Sequence, residues 1–241
     1  MSKKQNIWVI IPAAGVGKRM GTDIPKQYLT LNGKTIIEHT IDVFDKHDSI
    51  SEIVVAISKD DEYWPSLNIN LSKPFHIASG GNERCDSVLN GLKLIENKAA
   101  DDDWVLVHDA ARPCLRHDDL TLLLDSLEEH EVGGILAVQV KDTMKRSIGE
   151  NRIKNTVDRE NLWHALTPQM FRFSMLKDSI QSALKNNEVI TDEASAIELI
   201  GYQPMLVEGH ADNIKITRPE DLDLASFYLQ KIQLKNKQDK V

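Results

Sequence analysis

Ile7-Trp8-Val9-Ile10-Ile11-Pro12-Ala13-Ala14-Gly15-Val16-Gly17-Lys18-Arg19-Met20-Gly21 is the stretch from which the fold follows. Ile7 to Ile11 is apolar and short, the pattern of a strand buried on both faces inside a parallel sheet. The run then breaks into small residues, and Lys18 and Arg19 follow at once. Small residues admit a ligand close to the backbone, so strand, small-residue turn and cations together read as a phosphate cradle. The turn is not a Walker A loop, because Arg19 and not Ser or Thr follows Lys18, and the glycine spacing before it is too short. It is not a clean dinucleotide fingerprint either, since Met20 stands where G-x-G-x-x-G requires its third glycine. On the glycines alone, a tight βα turn and a ligand loop are equal readings. Lys26, in Pro25-Lys26-Gln27, adds a third cation nearby.

Further strand-like runs lie at Ile53 to Ile57, Trp104 to Val107 and Ile135 to Val140, separated by helix-length amphipathic segments at Ile36 to Phe44, Arg84 to Ile95 and Leu120 to His130. This alternation predicts a single α/β domain over residues 1–241, Rossmann-like, with a mainly parallel sheet flanked by helices. The rhythm breaks at 141–158, where polar residues alternate with Met144, Ile148, Ile153 and Val157 around Gly149-Glu150-Asn151. That pattern predicts a protruding β-hairpin arm. An isolated two-stranded ribbon is marginal in water, so the arm calls for a partner surface, and a homodimer is the expectation. Beyond it, Ser174 to Lys185 and Thr191 to Ile200 read as helices, the second closed by Gly201. Leu206 to Glu208 and Asn213 to Thr217 read as short strands. A last helix starts near Pro219, with Glu220 and Asp221 suiting its dipole, and runs to about Leu234 before a frayed polar tail.

The 241 residues are 41% hydrophobic, enough for a substantial core, and the formal net charge of −8 argues against a general nucleic-acid binder. Cations must then be placed locally if phosphate is handled. Cys85 and Cys114 form no CxxC pair, which leaves two reduced thiols and neither a disulfide framework nor a closed zinc site. No segment reads as a signal peptide or membrane span, and a cytoplasmic location is expected.

After Trp104 to Val107 comes His108-Asp109-Ala110-Ala111-Arg112-Pro113, a carboxylate and a guanidinium at the carboxyl edge where open α/β sheets bind ligands. Asp109 there suits a metal ligand. A helix cap or a structural ion pair with Arg112 is the alternative. The small residues Ala110 and Ala111 favour a closely approached nucleotide. His108 and His164 stand outside any metal-ligand spacing and read as packing or orienting groups, and Trp163 as an anchor on the core.

These segments resemble the 2-C-methyl-D-erythritol 4-phosphate cytidylyltransferase family, within the sugar-phosphate nucleotidyltransferases. The resemblance runs through Pro12 to Met20, Pro25-Lys26-Gln27-Tyr28, Gly80-Gly81-Asn82-Glu83-Arg84, Asp86-Ser87-Val88, His108 to Pro113, Asp142 to Lys145, Thr156 to Arg159, Trp163 to Gln169, Thr191 to Ser195 and Asp212 to Lys215. It spans nearly the whole chain and implies transfer of CMP from CTP to a polyol phosphate with release of pyrophosphate. By resemblance, Ala13, Ala14, Gly15, Gly81, Asn82, Ser87, Asp109 and Ala110 bind the nucleotide, and Arg19, Lys26 and Lys215 are the catalytic cations. Asp109 is the residue implied to hold magnesium, with Asp212 a weaker second candidate. Thr143, Arg159, Thr167 and Lys215 are implied to bind the acceptor, and the arm is implied to reach the active site of a second subunit. Asn82 departs from the Asp of some members, exchanging an acceptor for a group that both donates and accepts. Lys141, Lys145 and Arg146 read as a solvated ribbon.

Rival readings are a cytidylyltransferase for another polyol phosphate such as ribitol 5-phosphate, and a non-catalytic nucleotide-binding regulator. A dehydrogenase is weakened by Met20.

Overall fold

The computed structural model describes residues 5–15 and 24–238. In chain order the strands and helices are β1 (Ile7–Pro12), β2 (Thr30–Leu31), β3 (Lys34–Thr35), α1 (Ile36–Asp45), β4 (Glu52–Ile57), β5 (Phe75–Ser79), α2 (Arg84–Ile95) and β6 (Trp104–Val107). There follow α3 (His117–Leu127), β7 (Gly133–Gln139), β8 (Met144–Ser147), β9 (Ile153–Val157), β10 (Trp163–Arg172), α4 (Phe173–Lys185), α5 (Glu193–Leu199), β11 (Met205–Glu208) and α6 (Glu220–Gln238).

Among the described residues seven strands form the main sheet, in the order β11-β7-β10-β6-β1-β4-β5. Strand β1 pairs parallel with β4 on one side and β6 on the other, and β5 and β11 also join parallel. Only β10 runs antiparallel to its neighbours β6 and β7. The sheet is thus mostly parallel, as the β-α-β alternation requires. Because β1 is followed by β4 on one side and lies against β6 on the other, the chain leaves the β1 and β6 ends in opposite directions. A crevice opens there, the usual ligand position in such sheets.

Successive side chains of a strand face opposite ways, and β1 divides accordingly. Val9 and Ile11 pack with Ile37, Phe44, Ile53 and Leu120 on one face. Trp8 and Ile10 pack with Val88, Leu92, Phe171 and Leu176 on the other. Burying each such aliphatic side chain stabilises by roughly 1.5–3 kcal/mol, so the continuous apolar run serves two cores at once. Helix α1 is opened by a capping box in which Thr35 accepts from the Glu38 N–H and Glu38 accepts from the Thr35 N–H.

The chain differs from the sequence expectation in several places. Strand β5 is a half-buried edge, and β10 carries Thr167, Pro168 and Gln169 with a register shift between Ala165 and Gln169, so neither has the apolar run that marks a buried strand. His164, expected to pack or orient, is exposed on β10, whereas Trp163 is partly buried and packs against the core. Helix α3 starts three residues before Leu120, because Asp118 and Asp119 occupy its first turn. Residues Asn213 to Thr217 form no strand; their backbone bonds to a loop, Ile216 N–H donating to Ala111 O at 2.9 Å. Helix α6 continues past Leu234 to Gln238. The arm is present as β8 and β9, and its turn has Gly149, Glu150 and Asn151 all at positive φ. Every side chain from 141 to 156 is exposed, Lys141, Lys145 and Arg146 included.

Candidate functional site

A cavity of about 270 Å³ lies over the carboxyl ends of β1 and β6. The register sets Ile10 beside Val107, so the loops after both strands emerge side by side. Of the residues singled out in the sequence, the cavity brings together Ala13, Ala14 and Gly15 from the first loop, Gly81, Asn82 and Ser87 from the loop and first turn of α2, and Asp109 and Ala110 from the loop after β6. Lys26 and Lys215 complete it. Two glycines let these walls approach. A Cβ on Gly80 would fall 2.2 Å from Ala14 Cβ, and one on Gly81 2.2 Å from Asp86 Cβ. Ser87, buried at 2% exposure, accepts from the Gly81 N–H at 3.0 Å and so fixes that wall.

Asp109 is the electrostatic centre. Its carboxylate meets Arg84 Nε at 3.0 Å, Lys215 Nζ at 2.9 Å and Arg112 Nε at 3.4 Å. Burial by itself pushes this carboxyl up, but the three cations outweigh it and hold it far below the usual carboxylate range. Arg84, the first residue of α2, also forks onto Glu193 with bonds of 2.6 and 3.0 Å. Glu193 opens α5 and is 1% exposed; burial raises its carboxyl, opposed by the guanidinium. Arg84 itself is held well above its ordinary value by the two carboxylates, against the pull of burial. Lys26, on the 3-10 turn Lys26–Tyr28, donates to Ile216 O at 2.8 Å and Arg112 donates to Asn213 O at 2.7 Å, which pins the Lys215 segment across the opening. Four cations, Lys26, Arg84, Arg112 and Lys215, thus stand with three carboxylates, Glu83, Asp109 and Glu193, at or beside the cavity in a chain of net charge −8. The local excess is positive, as a polyphosphate requires.

His108 and Thr167 stand behind Asp109. The Asp109 N–H donates to Thr167 Oγ1 at 3.1 Å, Thr167 Oγ1 lies 2.9 Å from His108 Nδ1, and His108 Nε2 lies 2.9 Å from Arg112 O. A carbonyl only accepts, so Nε2 carries the proton, Nδ1 accepts, and the Thr167 O–H donates to it. His108 is completely buried and its pKa is pushed down to about 4, with burial the main cause.

Some expected residues lie elsewhere. Thr167, read as acceptor-binding, is 4% exposed beside a cis peptide to Pro168, and its hydroxyl is committed to Asp109 and His108. Thr143 and Arg159 are exposed at the base of the arm, where Arg159 donates to Lys141 O, and do not line the cavity. Asp212 points to Arg116 and lines a different concavity, so it does not join Asp109. Arg19 lies outside the described residues. Arg84, Glu193 and Gln27 are functional neighbours that reading by residue type passed over, although each falls inside a motif quoted above. Their signal was a buried charge or amide, which is invisible until helix α5 and the first loop are placed.

The family model described as IspD, 2-C-methyl-D-erythritol 4-phosphate cytidylyltransferase, matches residues 7–231. A protein of that name from Aliivibrio fischeri (strain MJ11) is 52% identical over 232 residues, covering 96% of this chain and 97% of its own. One from Pseudomonas putida is 53% identical over 217 residues, covering 90% of this chain and 92% of its own. The crystal structure of the Francisella tularensis 2-C-methyl-D-erythritol 4-phosphate cytidylyltransferase superposes with a TM-score of 0.80 at 41% identity, over 92% of this chain and 99% of that one. With a cation-rich cavity at the crevice beside β1 and matches along nearly its whole length, the chain belongs to the 2-C-methyl-D-erythritol 4-phosphate cytidylyltransferase family.

Proposed function

We propose that this protein transfers CMP from CTP to 2-C-methyl-D-erythritol 4-phosphate, giving 4-diphosphocytidyl-2-C-methyl-D-erythritol and pyrophosphate, a step of non-mevalonate isoprenoid precursor synthesis. The observation that carries it is the joining of Lys26, Lys215 and Asp109 around one cavity walled by Gly81 and Ala14. A phosphate oxygen of the acceptor attacks the α-phosphorus of CTP; the new P–O bond forms as the bond to the β-phosphate oxygen breaks, and pyrophosphate leaves. No covalent link to the protein is needed. The work left to the chain is alignment and stabilisation of charge on the phosphoryl oxygens. Lys215 and Lys26 are assigned that role, with Arg19 as a further cation. Lys215 is available for it because its partner Asp109 is also balanced by Arg84 and Arg112.

Magnesium fits the donor set as a metal shared with phosphate, not as a caged one. Among the described residues no three acidic, His or Cys groups converge, and Asp109 is a single carboxylate on the cavity wall. Magnesium takes one or two carboxylates and completes its shell with water and substrate phosphates. Asp109 would hold it, and when bound it would neutralise charge on the triphosphate.

The arm is assigned to a homodimer. A two-stranded ribbon with all side chains from 141 to 156 exposed is marginal alone, and Ile148 and Ile153 are 57% and 64% exposed on it. Thr143 and Arg159 are then acceptor contacts given to the partner's cavity. Among the described residues no helix is long and apolar enough to cross a membrane. We assign the protein to the cytoplasm, where CTP is made.

The test is pyrophosphate release from CTP with magnesium, comparing 2-C-methyl-D-erythritol 4-phosphate, ribitol 5-phosphate and no acceptor. Release with the methylerythritol phosphate alone is expected. Release with ribitol phosphate alone would retain the chemistry and overturn the acceptor, and silence throughout would favour a binding protein.

A further inference from the structure

The 3-10 turn that carries Lys26 also carries a buried amide. Gln27 is 4% exposed, and its Nε2 donates to Ala13 O at 2.7 Å and to Gly15 O at 3.0 Å. Both amide hydrogens are therefore used on two carbonyls of the first loop. The turn itself is fixed from either side, by Lys26 on Ile216 O and by Tyr28, whose hydroxyl donates to Asp61 at 2.7 Å. Packing holds the start of this loop, where Ala13 is buried in the core and Ala14 lies against Gly80, but does little at Gly15. A Cβ on Gly15 would meet no described atom within 4 Å, and behind the loop lies a second cavity of about 260 Å³, lined by Gly15, Gln27, Ser58, Asp61 and Tyr63 among others. Gln27 thus stands in the wall between that space and the cavity assigned to CTP.

We infer that Gln27 is a positioning residue for the nucleotide, holding the Ala13 to Gly15 loop against displacement into the space behind it. A carbonyl and the N–H of the same trans peptide point opposite ways, so anchoring Ala13 O sets the direction of the Ala14 N–H. Two carbonyl acceptors require a double donor, which an amide is and a carboxylate of the same shape is not. The inference rests on the assignment of the cavity to CTP.

Gln27→Glu and Gln27→Met separate the donor role from shape. CTP affinity is measured by calorimetry with magnesium from pH 8 to pH 5.5, at temperatures where thermal denaturation finds every variant folded. At pH 8 the Gln27→Glu Kd is expected to rise about ten-fold or more over the parent, since two buried bonds are lost. A carboxyl facing two carbonyls titrates above its usual value, and once protonated it donates one bond. The ratio to the parent should therefore shrink as pH falls, while Gln27→Met stays impaired throughout. A Gln27→Glu Kd within about two-fold of the parent at pH 8, or a ratio that does not change with pH, would overturn the inference. If the parent binds CTP but releases no pyrophosphate with methylerythritol phosphate, the proposed function falls and the Kd comparison still decides this point. Unchanged variants of an active parent would remove this inference alone, and a parent that does not bind CTP removes both.

Discussion

Thr167 passes a hydrogen bond from the Asp109 backbone to a neutral His108, and this makes it a support of the site. Thr167→Val removes the hydroxyl while preserving shape, leaving the Asp109 N–H and His108 Nδ1 unpaired in a buried place. A loss of about 1–3 kcal/mol in chemical denaturation is expected, with Thr167→Ser near the parent, and a fully stable valine variant would refute the chain of bonds. Lys215 differs in kind, being 37% exposed at its side chain with its charge on the cavity. Lys215→Ala should lower kcat by about 100-fold or more while the melting temperature stays close to the parent's. A large fall in melting temperature, with kcat retained per folded molecule, would make Lys215 a structural ion-pair partner. The residue scale also sets a supporting role for Thr167 beside the acceptor-binding one that the resemblance implies. A hydroxyl beside a site motif looks like a substrate contact until its burial is known.

At the scale of elements, the arm and the residues 213–217 both read as strands, with opposite results. Polar and apolar residues alternate in both, but only 144–157 has a turn with three residues at positive φ that folds the strand back on itself. In Asn213 to Thr217, Ile216 instead bonds to the Ala111 loop, and Lys215 meets Asp109. For the arm, Ile153→Glu puts a charge on its most exposed apolar position. In analytical ultracentrifugation the parent is expected as a dimer and the variant as a species shifted to monomer. A monomeric parent with full activity would end the assignment of the arm to a second copy.

For the whole molecule, pH stability follows from buried titrating groups. His108 has a folded pKa near 4 against an ordinary 6.5, so the unfolded chain binds more protons between those values. The contribution is present above about pH 6.5 and drains as pH falls towards 4, amounting to about 3 kcal/mol at most. His47 and His117, mainly through burial, act with the same sign. Asp109, with its folded value depressed, loses its contribution only below the ordinary carboxylate range. Unfolding free energy should therefore decline from pH 7 to pH 4.5, and His108→Gln should flatten part of that slope; parallel profiles would show that His108 binds protons equally in the folded and unfolded chain. The sequence by itself determined the alternating strands and helices and the crevice loops, because a doubly buried strand must be apolar throughout and a phosphate loop must be small, while Gly81, Asn82, Ser87 and Lys215 came from the family resemblance. It also determined the arm, since alternation around Gly149-Glu150-Asn151 is a local property. Tertiary structure alone decided that Glu193, 109 residues from Arg84, completes the charge balance at Asp109. It likewise decided that Thr167 is internal and that Asp212 faces Arg116. Burial and ion pairing depend on which surfaces the sheet brings together across long separations, and no local pattern encodes that.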